Sequence, residues 1–414
     1  MPGKNVYTDE FIIDCVRRYM KEYGHKSSIK NWKEMFPDGP SHVMVSRHLG
    51  SWAKAIQLTD QPIKQDTGSL LNTIGMLEKK LAIVEDYGQI LTDVVTSSLA
   101  RFDTLKVDKP QPVDLEGHYE YANLLLSDAQ IGTCFKLEDT AGKNLYNFDL
   151  FIKNCGILKS AVQTIHSIHA HAYPVPRLNI WAAGDDVEGE LIFTGQAFMI
   201  DKPLIDQVCE GAKEFAEMII YWAQIINDIH IYEVPGNHGR IGKRGEGHPR
   251  TNWDTIFWRI VQLMVEKTNV TNVTFHLSMS SMLVAEVFGH NILLSHGAET
   301  RGWMGIPFYG RHRDVMKLVN ALELPIELAL CGHHHNYASW DVAPRCEIVM
   351  NGSWIGGSPY STRELKTINS PKQVMWGTSR RRVRTWTYPI ELHRIQKLVS
   401  DENGVYTPTM KEKK

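Results

Sequence analysis

The sequence predicts a layered α/β domain, preceded by a small helical module and a long connecting helix. Three features carry that prediction. From about residue 117, apolar runs of strand length alternate with segments of helical period, the pattern of sheets covered by helices. Short motifs rich in Asp, Asn and His stand where the strands run out, the place where open α/β sheets gather ligands. Before about residue 62 only helical periodicity is present.

Composition agrees with this and narrows the partners. A chain of 414 residues can bury one large core or two smaller ones, and 43% apolar with 22% charged residues is ordinary for a globular protein. The net charge of −2 gives no global basic field, so nucleic acid would have to be met by local patches. The 6 cysteines are scattered without a CxxC pair, which suits free thiols in a reducing compartment. The opening Met-Pro-Gly-Lys-Asn has no apolar signal segment, and no apolar run is long enough to span a bilayer. A cytoplasmic protein without membrane contact is expected.

Residues 1–62 make the first unit. Thr8 can cap a helix whose apolar Ile12, Val16, Tyr19 and Met20 share one face, and Gly24 ends it. A second short helix is expected over Ile29–Phe36. A third follows the N-cap Ser41 and stops at Gly50, before Ser51-Trp52-Ala53-Lys54-Ala55. This last stretch, a Gly-Ser-Trp-x-x-Ala segment, resembles a helical repeat found beside homing endonucleases and in phage proteins. The resemblance implies helix-turn-helix-like DNA contact through Arg47, His48 and Lys54. The alternative is a three-helix packing or oligomerisation module with Trp52 in its core.

Residues 63–116 make the connection. Leu70, Leu71, Ile74, Leu77, Leu81, Val84, Tyr87, Ile90, Leu91 and Val94 recur at threes and fours, which predicts one helix over 68–106. Lys-Pro-Gln-Pro at 109–112 breaks it. Such a helix can pair two copies into a homodimer, tether the N-terminal module, or lie on the domain that follows.

The α/β domain spans 117–395, with a polar tail over 396–414. Strands are predicted at Tyr121–Ser127, Leu178–Ala183, Ile229–Val234, Thr274–Leu277, Met282–Val287, Asn291–Ser295, Ile326–Cys331, Glu347–Asn351 and Arg384–Glu391. Helices are predicted at Phe148–Ala170, Leu204–Asn227, Trp253–Thr268 and Arg311–Leu322.

The motifs at the strand ends are Ser127-Asp128-Ala129-Gln130, Gly184-Asp185-Asp186-Val187-Glu188, Pro235-Gly236-Asn237-His238, Ser295-His296-Gly297 and Gly332-His333-His334-His335. Each alone has an ordinary turn composition. Together and in this order they offer oxygen and imidazole ligands for two divalent ions. The set resembles the calcineurin-like metallophosphoesterases over about residues 117–392. That resemblance implies a four-layer sandwich, two sheets flanked by helices, that hydrolyses a phosphate ester with a metal-activated water. Carried over position by position, Asp128 and His335 hold one metal, Asn237, His296 and His333 hold the other, and Asp185 bridges both. His238 then faces the leaving-group oxygen; Gly239-Arg240 after it departs from the pattern, since many relatives carry an acidic residue there, and Arg240 would add positive charge beside the phosphate.

One departure matters. The family pattern begins Asp-x-His, and this chain has Asp128-Ala129-Gln130. A neutral amide oxygen is a weaker, harder ligand than imidazole, so Gln130 either loosens the first site and favours Mn²⁺ or Mg²⁺ over Zn²⁺, or leaves the shell. His166, His169 and His171 have no carboxylate or Cys nearby to complete a second ligand set and read as ordinary helix residues.

Cations interleaved with aromatics lie near the motifs. One Gly-rich loop holds Arg240, Lys243, Arg244, His248 and Arg250; the segment after His296 holds Arg301, Trp303, Phe308, Tyr309, Arg311 and Arg313. Arg380, Arg381, Arg382 and Arg384 precede Trp386 and Tyr388. These suit a polyanion with stackable bases, with Lys243, Arg244, Arg250 and Arg301 as contacts; the alternative is a set of solvated Arg faces. The Pro-Gly-Asn-His-Gly-Arg loop, the Ile-Pro-Phe-Tyr-Gly segment at 306–310 and Asn351-Gly352-Ser353 resemble phage and prophage metallophosphoesterases, which are distantly similar to the exonuclease subunit of double-strand-break repair complexes. This implies a DNA nuclease. Two other functions stay open: a phosphomonoesterase or protein phosphatase on the same site, and a non-catalytic DNA-binding protein in which Gln130 marks a decayed site.

Overall fold

Strands buried on both faces fix the architecture of the larger of two compact units, Gln89–Lys414. The computed structural model describes residues 8–23, 31–37, 40–49, 51, 53–55, 75–76, 78, 88–103, 106–242, 248, 250–300, 307–366, 368–393, 399–400 and 406–407. One sheet has the order β11-β10-β1-β2-β3-β4. In it β1 (Tyr121–Leu126), β2 (Arg177–Ala182), β3 (Asp228–Glu233) and β4 (Val273–Leu277) run parallel. Strands β10 (Lys372–Thr378) and β11 (Thr387–Glu391) extend it antiparallel. The second sheet has the order β5-β6-β7-β9-β8. Its β6 (His290–Ser295), β7 (Ile326–Cys331) and β9 (Cys346–Met350) are parallel, and β5 (Met282–Val287) and β8 (Ala338–Ala343) are antiparallel edges.

Side chains alternate across each strand, and this sorts the layers. Leu124 and Leu126 of β1 join the core made with α4 (Phe148–Ala170), α5 (Leu204–Ala223) and α6 (Trp253–Glu266), through Leu158, Phe215 and Trp258. Leu125 points the other way. It is in register with Trp181, and Trp181 with Tyr232, and all three pack against Ile292, Leu294, Leu328 and Leu330 of the second sheet. Helix α7 (Phe308–Leu322) covers the outer face of that sheet through Val315, against Leu293, Ala329 and Ile348. Helix, sheet, sheet, helix is the four-layer sandwich that was expected.

Two strands of the sandwich went unpredicted. β10 carries Gln373 and Gly377 within its apolar run, and β8 is an edge strand with half-exposed residues. The last long strand begins at Thr387 rather than Arg384, because the chain first turns back with Ser379 N–H donating to Arg382 O. Short strands at Val399–Ser400 and Tyr406–Thr407 pair within the segment expected to be only a polar tail.

The connecting helix ends at residue 101, short of the expected 106. Lys267 Nζ donates to the carbonyls of Leu99 and Phe102 and so caps its last turn. Beyond it the Asn269 side chain accepts from Val107 N–H at 2.9 Å and donates to Val107 O at 3.1 Å, holding the chain non-helical. Val94 and Phe102 are buried in the helix-side core, with Leu91, Val95 and Leu99 packed on it. Of the three expected uses, residues 89–101 thus show the helix lying on the domain.

The smaller unit, Met1–Gly88, contains α1 (Asp9–Tyr23), α2 (Trp32–Met35) and α3 (His42–Leu49). The expected caps are made: Thr8 Oγ1 accepts from Phe11 N–H at 3.3 Å and Ser41 Oγ from Met44 N–H at 3.2 Å. Trp32 fills the core with Ile12, Val16, Tyr19, Val45, Leu49 and Ala55, and its indole N–H donates to Pro40 O at 2.6 Å. Trp52, expected in that core, lies outside the described residues, as do Gly24, Ile29 and Gly50. All six cysteines are unpaired, and among the described residues no helix is long and apolar enough to cross a membrane.

Candidate metal centre

Each ligand-bearing loop leaves the carboxyl end of a parallel strand: Asp128 after β1, Asp185 after β2, Asn237 and His238 after β3, His296 after β6, and His333 and His335 after β7. Two sheets packed face to face bring these ends together. His333 N–H reaches both carboxylate oxygens of Asp128 at 3.0 Å, and His335 Nε2 lies 3.3 Å from Asp128 Oδ1. His296 Nε2 lies 3.0 Å from Asp185 Oδ2 and 3.1 Å from Asn237 Oδ1. One ligand atom from each of Asp185, His296 and His333 falls within 4.8 Å of the others.

The loops are bent hard to aim these groups inward. Asp128 (φ 55°), Gln130 (φ 42°), Asp185 (φ 56°), His333 (φ 69°) and His335 (φ 53°) all sit in the left-handed region that side chains rarely adopt. Asp254, in the first turn of α6, holds two of the loops in place. Its carboxylate accepts from the N–H groups of Asp185 (2.9 Å), Asp186 (3.1 Å), Val187 (3.3 Å) and Gly236 (2.8 Å). A Cβ on Gly236 would lie 2.1 Å from Asp185 Oδ1, so only glycine lets the β3 loop pass this close to the β2 loop.

The donor set fits divalent cations. Asp128 and Asp185 are fully buried, and among the described residues imidazoles, not Lys or Arg, stand against them. Leaving buried carboxylates without a cation is costly. Asp185 Oδ2, fully buried, has only the His296 and His238 imidazoles near it, at 3.0 and 3.9 Å. His296 Nδ1–H donates to Ala183 O at 2.6 Å, which turns Nε2 toward Asp185 and Asn237. Carboxylate, amide and imidazole donors around a buried carboxylate oxygen are what a two-cation site requires.

Charge in the cleft is shared among the imidazoles. Burial alone would discharge His238, but the carboxylates of Glu188 and Asp185 outweigh it and raise the ring to about 10. For His296 burial is likewise outweighed by Asp185, which raises it to about 9. Burial and then the neighbouring His296 drop His333 to about 3. Asp128 and Asp185 sit below the usual carboxylate range: burial pushes each up, but His335 beside the first and His296 and His238 beside the second prevail.

His238 stands apart from the ligands. Its Nδ1 lies 3.1 Å from Glu188 Oε2, its main-chain N–H donates to Asp185 Oδ1 at 2.7 Å, and its Nε2 lies 3.9 Å from Asp185 Oδ2. Glu188 is itself held by Thr133 Oγ1 at 2.6 Å and Gln196 Nε2 at 3.0 Å. Gln130 is buried with its amide nitrogen 3.3 Å from His335 Nε2 and 3.4 Å from His238 Nε2, so it has not left the site. Arg240 Nε donates to Asn237 O at 3.0 Å and braces the ligand loop.

The expected polyanion contacts fare unevenly. Arg47 and Lys54 are exposed on the smaller unit. Arg250 is half-buried with its guanidinium against Met279 Sδ. Lys243, Arg244, Arg301 and Trp303 lie outside the described residues. Arg311 is a correction: it is buried and donates to Ser295 Oγ at 2.5 Å and Leu330 O at 3.4 Å, tying β6 to β7. Arg384 is committed to Glu347 and Thr387, and Arg380 lies over the Tyr119 ring. His166 is taken up by Val175 O at 2.9 Å and His169 stacks on Trp386, so the second histidine cluster is structural.

Sequence reasoning gave Asp254 no role and left Glu188 as an unexplained motif residue. An acid two residues after the N-cap Asn252 reads as a helix-dipole charge. Its carboxylate has four partners, all backbone groups remote in sequence, so no local signal could have shown them.

No protein-family model matches the chain, and no curated protein matches it. Solved structures do. A predicted phosphoesterase of Streptococcus pneumoniae is 11% identical, aligned over 66% of this chain and 99% of its own, with a TM-score of 0.26. Vacuolar protein sorting 29 of Cryptosporidium parvum is 12% identical over 68% and 100%, TM-score 0.31. A dimetal phosphatase of Danio rerio is 9% identical over 66% and 99%, TM-score 0.30. Similarity at this level leaves function to be read from the site itself.

Proposed function

We propose that this protein is a cytoplasmic metal-dependent phosphodiesterase, and specifically a DNA nuclease. One observation carries the reading: a cluster of oxygen and imidazole donors around Asp185 Oδ2, with His238 at its edge and Glu188 behind it. Asp128, Gln130 and His335 would hold one divalent ion, Asn237, His296 and His333 another, and Asp185 both. Bound there, the ions would supply an acidified water as nucleophile and neutralise the phosphate. Gln130 in place of imidazole favours Mn²⁺ or Mg²⁺.

His238 performs the proton step. Glu188 occupies Nδ1, which leaves Nε2, the atom facing the cleft, to carry the proton that is transferred. That proton goes to the leaving oxygen as its bond to phosphorus breaks. Cys331 is fully buried and its thiol is pushed up by burial, so it offers no competing nucleophile. The choice of DNA is supported by the exposed Arg47 and Lys54 on a helical unit and by the resemblance of the N-terminal segment.

Cleavage of end-labelled single- and double-stranded DNA in Mn²⁺, with His238→Ala beside the wild type, tests this. Loss of full-length strand with the wild type alone is the expected result. Hydrolysis of an aryl phosphate monoester without cleavage of DNA or RNA would move the substrate to monoesters. Silence on both would contradict the enzyme reading.

A further inference from the structure

Between Glu188 and α5 the chain makes a loop over residues 189–203 that is firmly pinned yet apolar at its tip. Gln196, fully buried, ties it from within. Its Oε1 accepts from Ile192 N–H at 2.8 Å, and its Nε2 donates to Glu188 O at 2.7 Å and Glu188 Oε1 at 3.0 Å. Gln207 of α5 grips the ends, accepting from Gly189 N–H at 2.9 Å and donating to Lys202 O at 3.0 Å. A frame this well satisfied could have turned its large side chains inward. Instead Leu191 is 86%, Phe193 44% and Phe198 94% exposed. Large apolar side chains held out along one fixed loop mark a contact surface.

The surface begins at His238. The Phe193 ring meets the His238 imidazole edge-on, centroids 5.7 Å apart and planes at 74°. A group that leaves with the His238 proton therefore departs beside Phe193. The loop offers that group no free cation, because Lys202 is paired with Glu210, and Glu190 is engaged by Leu204 N–H. Residues 189–203 thus hold no free cation for a phosphate or duplex backbone, whereas a flat uncharged ring finds an aromatic partner there.

We propose that Phe193, with Leu191 and Phe198, forms the leaving-group subsite and stacks the unpaired nucleobase of the departing nucleoside. The proposal rests on the phosphodiesterase reading above. It makes the enzyme selective for diesters whose leaving-side base is free of a duplex. Through Gln196 the same loop bears on Glu188, so the subsite and the proton donor share one frame.

The test uses the full chain in Mn²⁺ with the dinucleotide thymidylyl-thymidine and its analogue lacking the base on the leaving side, that side being identified from the products. The readout is the ratio of kcat/KM for the two substrates. The wild type should favour the base-bearing diester about tenfold, as stacking of one base on an aromatic ring provides. Phe193→Ala and Phe198→Ala should bring the ratio near unity, and Phe193→Trp should keep it. Phe198 is almost wholly exposed, so its replacement cannot act through the core. Hydrolysis without preference in the wild type, or a ratio unmoved in the variants, overturns the subsite alone. Failure to hydrolyse any diester overturns the nuclease reading and the subsite with it.

Discussion

Glu188 Oε2 stands 3.1 Å from His238 Nδ1, and this contact fixes both the charge and the direction of the imidazole. With Nδ1 occupied, Nε2 faces Asp185, and the two carboxylates raise the ring to about 10 against the effect of burial. The proposed proton donor must be protonated, so activity should fall on the alkaline side as His238 loses its proton. Glu188→Gln removes the larger of the two charges and should move this falling limb to lower pH by about 1–2 units, with kcat down about 10- to 100-fold. A pH–rate profile checks it, with bound metal counted to show that the ligands are intact.

Asp254 accepts from four backbone N–H groups on two ligand loops. Asp254→Asn keeps the size but halves the accepting oxygens, leaving buried donors unpaired. Stability should fall by about 2–4 kcal/mol, and metal affinity should fall with it because Asp185 and Asn237 lose their alignment. Thermal unfolding with and without Mn²⁺ measures both.

Metal binding should release protons. In the metal-free protein Asp185 raises His296 to about 9 against burial, so at neutral pH the ring is charged, and a ligand must be neutral. Apparent Mn²⁺ affinity should therefore rise by up to about tenfold per pH unit between pH 6.5 and 8.5. Calorimetry in buffers of different ionisation enthalpy should show about one proton released per chain.

Glu233, at the end of β3, is buried, and burial followed by the Asp254 charge raises it to about 8. A carboxyl raised on folding binds more protons in the folded than in the unfolded state between roughly pH 4.5 and pH 8. Its contribution to stability is full below the unfolded value and is lost as pH rises through that window. Glu233→Gln should thus stabilise the protein at pH 8, by an amount of order 3 kcal/mol, and do little at pH 4.5. Thermal melts at the two pH values provide the comparison.

The parallel strands were legible because burial on both faces leaves a continuous apolar run, as in Leu124-Leu125-Leu126 and Leu328-Ala329-Leu330. The candidate ligand residues could be placed in the sequence because each follows a strand. β10 was not, since Gln373 interrupts it, and that residue is needed there: its Oε1 accepts from Ser127 N–H at 3.0 Å, one position before Asp128. The early end of the connecting helix depends on Lys267, far along the chain, which no local pattern reports. Arg311 read as a surface cation because its sequence neighbours are polar, although the gap between β6 and β7 buries it. The Phe193–His238 contact joins two loops that only the folded sheet brings together.

The most direct test is to strip the protein with chelator and follow hydrolysis of bis(p-nitrophenyl) phosphate as Mn²⁺ is returned, counting ions per chain. Wild-type activity should return as occupancy approaches about two ions, and Asp185→Asn should lose both the second ion and at least about a thousandfold in rate. Activity indifferent to chelation, or a fully loaded wild type that cleaves no diester, would contradict the two-metal phosphodiesterase.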